Sequence, residues 1–544
     1  MNSQRKELAV PTPQHQRYLD FVSSRIFSHR DDPALAEEVK ARGQAILVLF
    51  SLDLGPARPI LDRCYAKNKR GSDPWDPVIL LRALLLSILI GQPSLNRFVP
   101  QLRGSRLLPL LAGIRGSRRP GVGTLYDFLH RLRDGPVRRS CEHRERPSEL
   151  GRRRSEAPRP KQQRPERKKK RKGRRKKGDQ DQVPEDSSAT AASVAKLEAA
   201  KDLANPEDLM TRLGELLLEV GVRESAERGL LGDDVSEILL CGDGSALVTG
   251  ASRQGRKVCS CDKKTKCDCD RVYSDPDARF GWDDYRKTFF FGHHFCEFLV
   301  SSQGQDLPLV IRLGPGNTTD FTISPEAYDF LLKELRHRDW GLSIATVIRD
   351  KGHDGLRNYR YPLSQGTVPV IPLAKDAPAL HPRRPDLSLS PRGVPLCEGG
   401  AELAPPGSAG PDRRLFVCPV KAGWLERCPK APAEDPDWVC RPGQLLGPVV
   451  NLSVSANPRL CPPIPRNSER HKELMKLRSG CERSNSVKKG PFKPEQARHQ
   501  RWSFRAIRLH LMALLQHAKA WVAGEEAQEL VNHLLGVEEL KQAA

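Results

Sequence analysis

Apolar positions change period along the chain. Up to about residue 135 they recur at helical spacing. Asp76-Pro77 opens the most apolar of these segments, "PVILLRALLLSILIG", with an Asp cap and a proline in the first turn, and Gly91-Gln92-Pro93 closes it. Ser94 caps "LNRFVPQLR", which Pro100 kinks or shortens. Thr124 caps a third segment, with Leu125, Phe128, Leu129 and Leu132 on one face. Short helices carrying arginines suit either a DNA-recognition head or a helical packing domain. The run from 77 to 91 is short for a membrane span and carries Arg82, so no membrane partner is expected.

Between residues 138 and 205 the apolar positions thin out and charge takes over. From Arg167 to Lys177 every residue except Gly173 is basic. Such a run repels itself and has no face to bury, which predicts a mostly disordered linker. It either lies along a phosphate backbone or stays a solvated tether. A short helix, "SVAKLEAAKDLA", leads out of it, and Asn205-Pro206 caps a stronger amphipathic helix running to about Leu231.

From about residue 235 the pattern becomes strand, strand, strand, helix, strand. "SEILLCGD", "KTFFFGHHFCEFLVSS" and "LPLVIRLGPGN" are three strands, and "SPEAYDFLLKELRHR" is a helix with Ser324 as its cap. "SIATVIRD" and "TVPVIPL" are two more strands. Residues 375–465 interrupt with a Cys-, Pro- and Gly-rich insertion, and two helical segments follow. The expected layout is a helical N-terminal domain over 1–137 and the linker over 138–205. A catalytic α/β domain then runs over 206–374, takes a β insertion over 375–465, and is completed by C-terminal helices over 466–544.

Charge adds a partner. The 544 residues hold 90 Lys plus Arg against 67 Asp plus Glu, a net +23, which favours a polyanion such as DNA. The N-terminal residues lack the apolar core of an export signal, so a cytoplasmic, nucleoid-associated protein is expected. In a reducing compartment the fourteen cysteines are free thiols or metal ligands rather than disulfides.

The candidate chemistry lies in acids that follow apolar strands. Asp243, between Gly242 and Gly244, and Asp350, before Lys351-Gly352, are expected at the ends of their strands, and Glu482 lies in a late helix. Taken singly each reads as a turn or surface residue. Their order along the elements is that of an RNase H-like mixed sheet flanked by helices. Three carboxylates brought together need cations among them, and oxygen donors select Mg²⁺ or Mn²⁺, two ions in a phosphodiester site. Arg478, Glu482 and Lys489 are spaced Arg-x3-Glu-x6-Lys, which puts Arg478 one helical turn from Glu482. Arg483 and Asn485 add donors for DNA.

These stretches resemble a bacterial insertion-sequence transposase with a DDE catalytic domain. The resemblance rests on "GDGSALVTG", "SDPDARFGWDDYRKTFFFGHH", "GPGNTTD", "VIRDKGHDGLRNYRYPLSQGTVPVIPLAKD" and "RSGCERSNSVKKGPFKPEQARHQRWSFRAIRLHLMALLQHAKAW". It extends to the N-terminal "DPWDPVILLRALLLSILIGQPSL" and "GVGTLYDFLHRL". It implies catalytic acids at Asp243, Asp350 and Glu482, cutting and joining of DNA ends, and assembly as a dimer or higher multimer on DNA. Met475 holds the position where the family carries a tyrosine. The alternatives are a metal-dependent nuclease without strand transfer and a non-catalytic DNA-binding descendant.

Two cysteine sets stand apart. Cys259, Cys261, Cys267 and Cys269 form C-x-C-x5-C-x-C, either a structural Zn²⁺ clip or a hairpin of free thiols. Cys397, Cys418, Cys428 and Cys440 are spread more widely and make a weaker candidate for the same choice between Zn²⁺ ligands and free thiols. His293 and His294 either face the metals or sit half-buried in a strand, while Asn317 and Asp320 are expected to shape a turn. The helix after Trp502, with Arg501, Arg505 and Arg508, is expected to show one packed and one basic face.

Overall fold

The computed structural model describes residues 11–65, 73–135, 152–154, 209–254, 256–257, 270–272, 275–283, 286–408, 410, 412–435, 438, 440–497 and 501–537. The basic run 167–177, the helix expected after it and the set Cys259, Cys261, Cys267 and Cys269 lie outside them.

A mixed sheet of six strands organises the middle of the chain: β1 (Ile238–Val248), β2 (Arg279–Asp283), β3 (Thr288–Ser302), β4 (Gln305–Pro315), β5 (Ile344–Arg349) and β6 (Val368–Val370). The long β3 pairs antiparallel with β1, and also with β2 along its first residues and β4 along the rest. β1 then pairs parallel with β5, and β5 parallel with β6. β1, β3 and β4 are rich in Val, Leu, Ile and Phe and are largely buried, as strands covered on both faces must be.

Helices flank this sheet. The segment after the linker is helical from Leu209 to Glu227, with a π-turn at Leu218–Val222. α1 (Asp320–Arg338) packs on β3 and β4. It begins a full turn before the expected cap, because Thr319 takes the cap position and Ser324 is buried inside the helix. The late helical region divides at Arg478 into α2 (Glu469–Leu477) and α3 (Ser479–Lys489), and α4 (Trp502–Trp521) follows.

Nearly every residue of α4 is buried, so the two-faced reading of that helix fails. Arg505 ion-pairs with Asp275 at 3.3 Å, and Arg508 donates to the Phe492 carbonyl at 3.1 Å. Both guanidiniums are therefore internal ties, not phosphate contacts. α4 has the sheet on one side and the N-terminal helices on the other, including Gly43–Ser51 and Pro77–Leu89. One hydrophobic core runs without a break from Tyr18 through the sheet to Leu535. Pro100 is absorbed within Leu95–Gly104 and does not cut that helix short.

The 375–465 insertion is β-rich. A hairpin of Leu380–His381 and Arg384–Ser388 accompanies a three-stranded antiparallel sheet of Ala404–Ser408, Arg413–Val417 and Val450–Ser453. It has a small core of its own around Leu387, Val394, Leu403, Phe416 and Leu452. Arg459 fastens it to the main body by paired bonds to Asp354 at 2.9 and 2.8 Å. Among the described residues no helix is long and apolar enough to cross a membrane.

Candidate active site

The parallel register of β1 and β5 sets the site. Gly242 pairs with Arg349 as the last pair of the ladder, so Asp243 and Asp350 are the residues that follow on the two segments, whose backbones run about 5 Å apart where they pair. Arg349 turns to the opposite face, where it is buried against Phe298 and Tyr328 and donates to Asn358 at 3.0 Å. Alternation along the chain then sends Asp350 to the face of Asp243.

Asp350 does follow its strand directly, but Asp243 does not end one. β1 continues to Val248, and Asp243 lies mid-strand opposite Glu297. The flanking glycines therefore serve close approach and not a turn. A Cβ at Gly242 would meet the Phe298 ring at 2.2 Å, and one at Gly244 would meet the Asp320 carboxylate at 1.6 Å. Only a bare backbone lets that aromatic ring and that acid come so near.

α3 lies over the Asp243 face, with Cys481 packed among Cys241, Leu299 and Ile348. Arg478, at the break between α2 and α3, reaches Asp243 at 3.4 Å and Glu482 at 2.8 Å. The expected one-turn relation of Arg478 and Glu482 is therefore present, and their shared guanidinium brings Glu482 to the same side as Asp243. Met475, at the tyrosine position, packs beneath this contact against the Cys241–Cys481 cluster. It contributes apolar surface and no hydroxyl.

Electrostatics mark Asp243 as the most perturbed of these acids. Burial, then the charges of Asp320 and Asp350, push its pKa up to about 7, against the opposing Gly244 N–H and Arg478. Asp350 moves the other way. Burial alone would raise it, but a bond from His353 Nδ1 at 2.7 Å, the charges of His353 and Arg478, and the Gly352 N–H hold it below the usual carboxylate range. Two neighbouring acids are thus separated in acidity. Among the described residues no three Asp, Glu, His or Cys side chains are already drawn into a chelating cluster; Arg478 stands between Asp243 and Glu482.

The other expected contacts are distributed differently. Arg483 is engaged with Asp306 through two 2.8 Å bonds, which tie α3 to the sheet. Asn485 is half-buried on the same helix. Lys489 is half-buried and held below its usual value by burial, against the pull of Glu495. Its neighbour Lys488 is wholly buried and bonds Glu297 at 2.6 Å, Ser484 at 2.7 Å and Gln516 at 3.1 Å.

Asp320, expected only to shape a turn, was missed as a site residue, and His294, one of two histidines weighed for the site, is its partner. Asp320 opens α1, accepts from His294 Nε2 at 2.6 Å and contributes to the shift of Asp243. The available signal was the glycine at 244, which leaves room for a side chain from elsewhere. His293 instead is buried with Asp275 at 3.1 Å. The β2–β3 hairpin was also missed. It exposes Phe280, Trp282 and Phe289, the last at 71 %, beside Arg286 and Lys287. Compared with known proteins, the chain matches no family model, no curated protein and no solved structure.

Proposed function

We propose that the protein is a DNA transposase of the DDE type, with an RNase H-like catalytic domain that cuts element ends and joins the freed 3′-hydroxyl to target DNA. The sheet supports this reading: an antiparallel three-strand meander followed by two parallel strands, with the first strand central. The observation that carries it is the Gly242–Arg349 pairing of β1 and β5, which places Asp243 and Asp350 each one residue further on, with Glu482 linked to Asp243 through Arg478.

Asp243, Asp350 and Glu482 are the oxygen donors that would hold Mg²⁺ or Mn²⁺. A carboxylate whose proton affinity is raised by burial and by neighbouring acids is one that a cation would relieve. Bound there, such ions would activate a water or a 3′-hydroxyl and stabilise the leaving oxygen of a phosphodiester. The chain's own groups orient the reaction. Gly244 admits the Asp320 carboxylate beside Asp243, His353 keeps Asp350 ionised, and Arg478 neutralises phosphate charge. The exposed aromatics and cations of the β2–β3 hairpin offer stacking and backbone contacts to DNA. The net +23 charge supplies the attraction, and the partner copy expected on DNA would bring the second end.

The test uses purified protein, Mg²⁺ or Mn²⁺, and labelled DNA from the flanks of its coding region, with Asp350→Ala beside the wild type. Metal-dependent nicking and transfer of labelled ends into plasmid, both absent in Asp350→Ala, are expected. Nicking without transfer would favour a hydrolytic nuclease. Metal-independent binding as the sole activity, equal in both proteins, would favour a non-catalytic DNA-binding protein.

A further inference from the structure

Between Pro419 and Val450 the insertion has almost nothing to fold around. Among the described residues of that stretch only Cys428 and Gly447 are buried, and none lies in a helix or strand. Trp424, Leu425, Leu445, Leu446 and Val449 are exposed. A stretch this long without regular structure or core needs a covalent or metal staple to hold one conformation.

The cysteines Cys397, Cys418, Cys428 and Cys440 converge on it from four separate segments and line one small cavity of about 10 Å³, the room of a single water-sized sphere. Three of them open tight turns. Gly400 N–H donates to the Cys397 carbonyl at 2.9 Å, Ala431 N–H to that of Cys428 at 2.9 Å, and Ala422 N–H to that of Cys418 at 3.0 Å. Tight turns that start at cysteine free neighbouring N–H groups to face a thiolate. Cys418 continues the strand Arg413–Val417, and Cys397 packs against the insertion core, so two positions are anchored while Cys428 and Cys440 belong to the unsupported stretch.

Charge around the cavity is matched to a cluster of thiolates. Lys430 and Arg441, which also line it, hold Glu398 between them at 3.0 and 2.6 Å, and Lys421 donates to the Arg441 carbonyl at 3.3 Å. Of the charged residues lining the cavity two are cations and one is a carboxylate, an excess of positive charge that favours thiolates. All four cysteines are unpaired thiols. Among the described residues they line the cavity without closing into a chelating cluster.

We propose that Cys397, Cys418, Cys428 and Cys440 bind one Zn²⁺, tetrahedrally and structurally, and that this ion clips residues 419–449 to the insertion sheet. On binding, four thiols lose four protons to solvent and four sulfur–zinc bonds form, with no change of oxidation state and no open coordination position. The site is independent of the acids at Asp243 and Asp350, and its role is to fix the exposed surface that carries Trp424 and Leu445.

The test is zinc content of the purified full-length protein, measured after gel filtration in reducing buffer. Because Cys259, Cys261, Cys267 and Cys269 are further thiols, the comparison is by difference. Cys428→Ser/Cys440→Ser should lose one equivalent of zinc per chain, while Cys461→Ser should lose none. Refolding with Co²⁺ should give thiolate-to-cobalt charge-transfer and tetrahedral d–d bands that the double variant lacks. If the double variant does not fold, wild-type protein treated with a strong chelator reports instead, through proteolysis mapped by mass spectrometry. Cleavage confined to 419–449 and reversed by added Zn²⁺ supports the site. Equal zinc in wild type and double variant, or cleavage indifferent to chelator, overturns it.

Discussion

The guanidinium of Arg478 lies 3.4 Å from the carboxylate of Asp243, although 235 residues separate them in the chain. That contact joins a helix break to the middle of a buried strand, and Arg478 is one of the groups opposing the rise of Asp243's pKa. Arg478→Met removes a positive charge from a carboxylate within contact distance, which raises the carboxylate pKa by about one unit. The pH midpoint of Mn²⁺ binding, followed by electron paramagnetic resonance, should move upward in Arg478→Met and stay near the wild-type value in Arg478→Lys. An unmoved midpoint in Arg478→Met would remove Arg478 from the site's electrostatics.

Asp243 carries a stability cost with a defined sign. Its folded pKa of about 7 lies above the ordinary 3.8. The folded chain therefore holds the extra proton between those values, and stability falls as pH rises through that window. A shift of this size corresponds to an upper bound on the order of 4 kcal/mol. Asp243→Asn should unfold later than wild type at pH 8, with the difference shrinking toward pH 4, in thermal melts without divalent metal. Equal melts at pH 8 would contradict the raised pKa.

The glycines of β1 are expected to resist even alanine. Gly242→Ala would press a methyl into the Phe298 ring, and overpacking of a central strand costs about 1–3 kcal/mol. Gly250→Ala, where a Cβ meets nothing within 4 Å, is the control. Urea denaturation should separate the two, and a Gly242→Ala protein as stable as Gly250→Ala would mean that Phe298 yields freely.

The pair of Lys488 and Glu297 is fully buried; Lys488 bonds Glu297 Oε2, and Glu297 Oε1 has no hydrogen-bond partner. Lys488→Met leaves that carboxylate buried and unpaired, a loss of about 3–5 kcal/mol. Lys488→Met/Glu297→Leu should recover most of the loss in the same denaturation assay, because the desolvated charge is gone. If the double variant is no better than the single, the pair's hydrogen bonds to Ser484 and Gln516 matter more than its charge.

Apart from β2, strand identity and order were legible because β3, β4 and β5 are dominated by Phe, Leu, Val and Ile, and the late helix was legible from its Arg-x3-Glu spacing. The extent of β1 was not. Its glycines read as a corner from sequence alone, and only the neighbours Phe298 and Asp320 reveal them as gaps filled from elsewhere. Asp320 was hidden for a related reason. Thr318-Thr319-Asp320 reads equally as turn or helix start, and the deciding term is the tertiary contact with His294. The arginines of α4 misled because amphipathic spacing gives no information about a helix covered on every side, where Arg505 and Arg508 find partners in Asp275 and the Phe492 carbonyl.

The unbroken core from Tyr18 to Leu535 constrains how the protein is made. Helices synthesised first pack on α4 and on the helix Ala527–Leu535, which leave the ribosome more than 400 residues later. Gly43, for instance, lies so close to Val531 that a methyl on it would come within 2.8 Å. The nascent N-terminal helices must therefore wait with apolar faces uncovered, and a premature stop before Trp502 would release a chain fit only for chaperones or proteases.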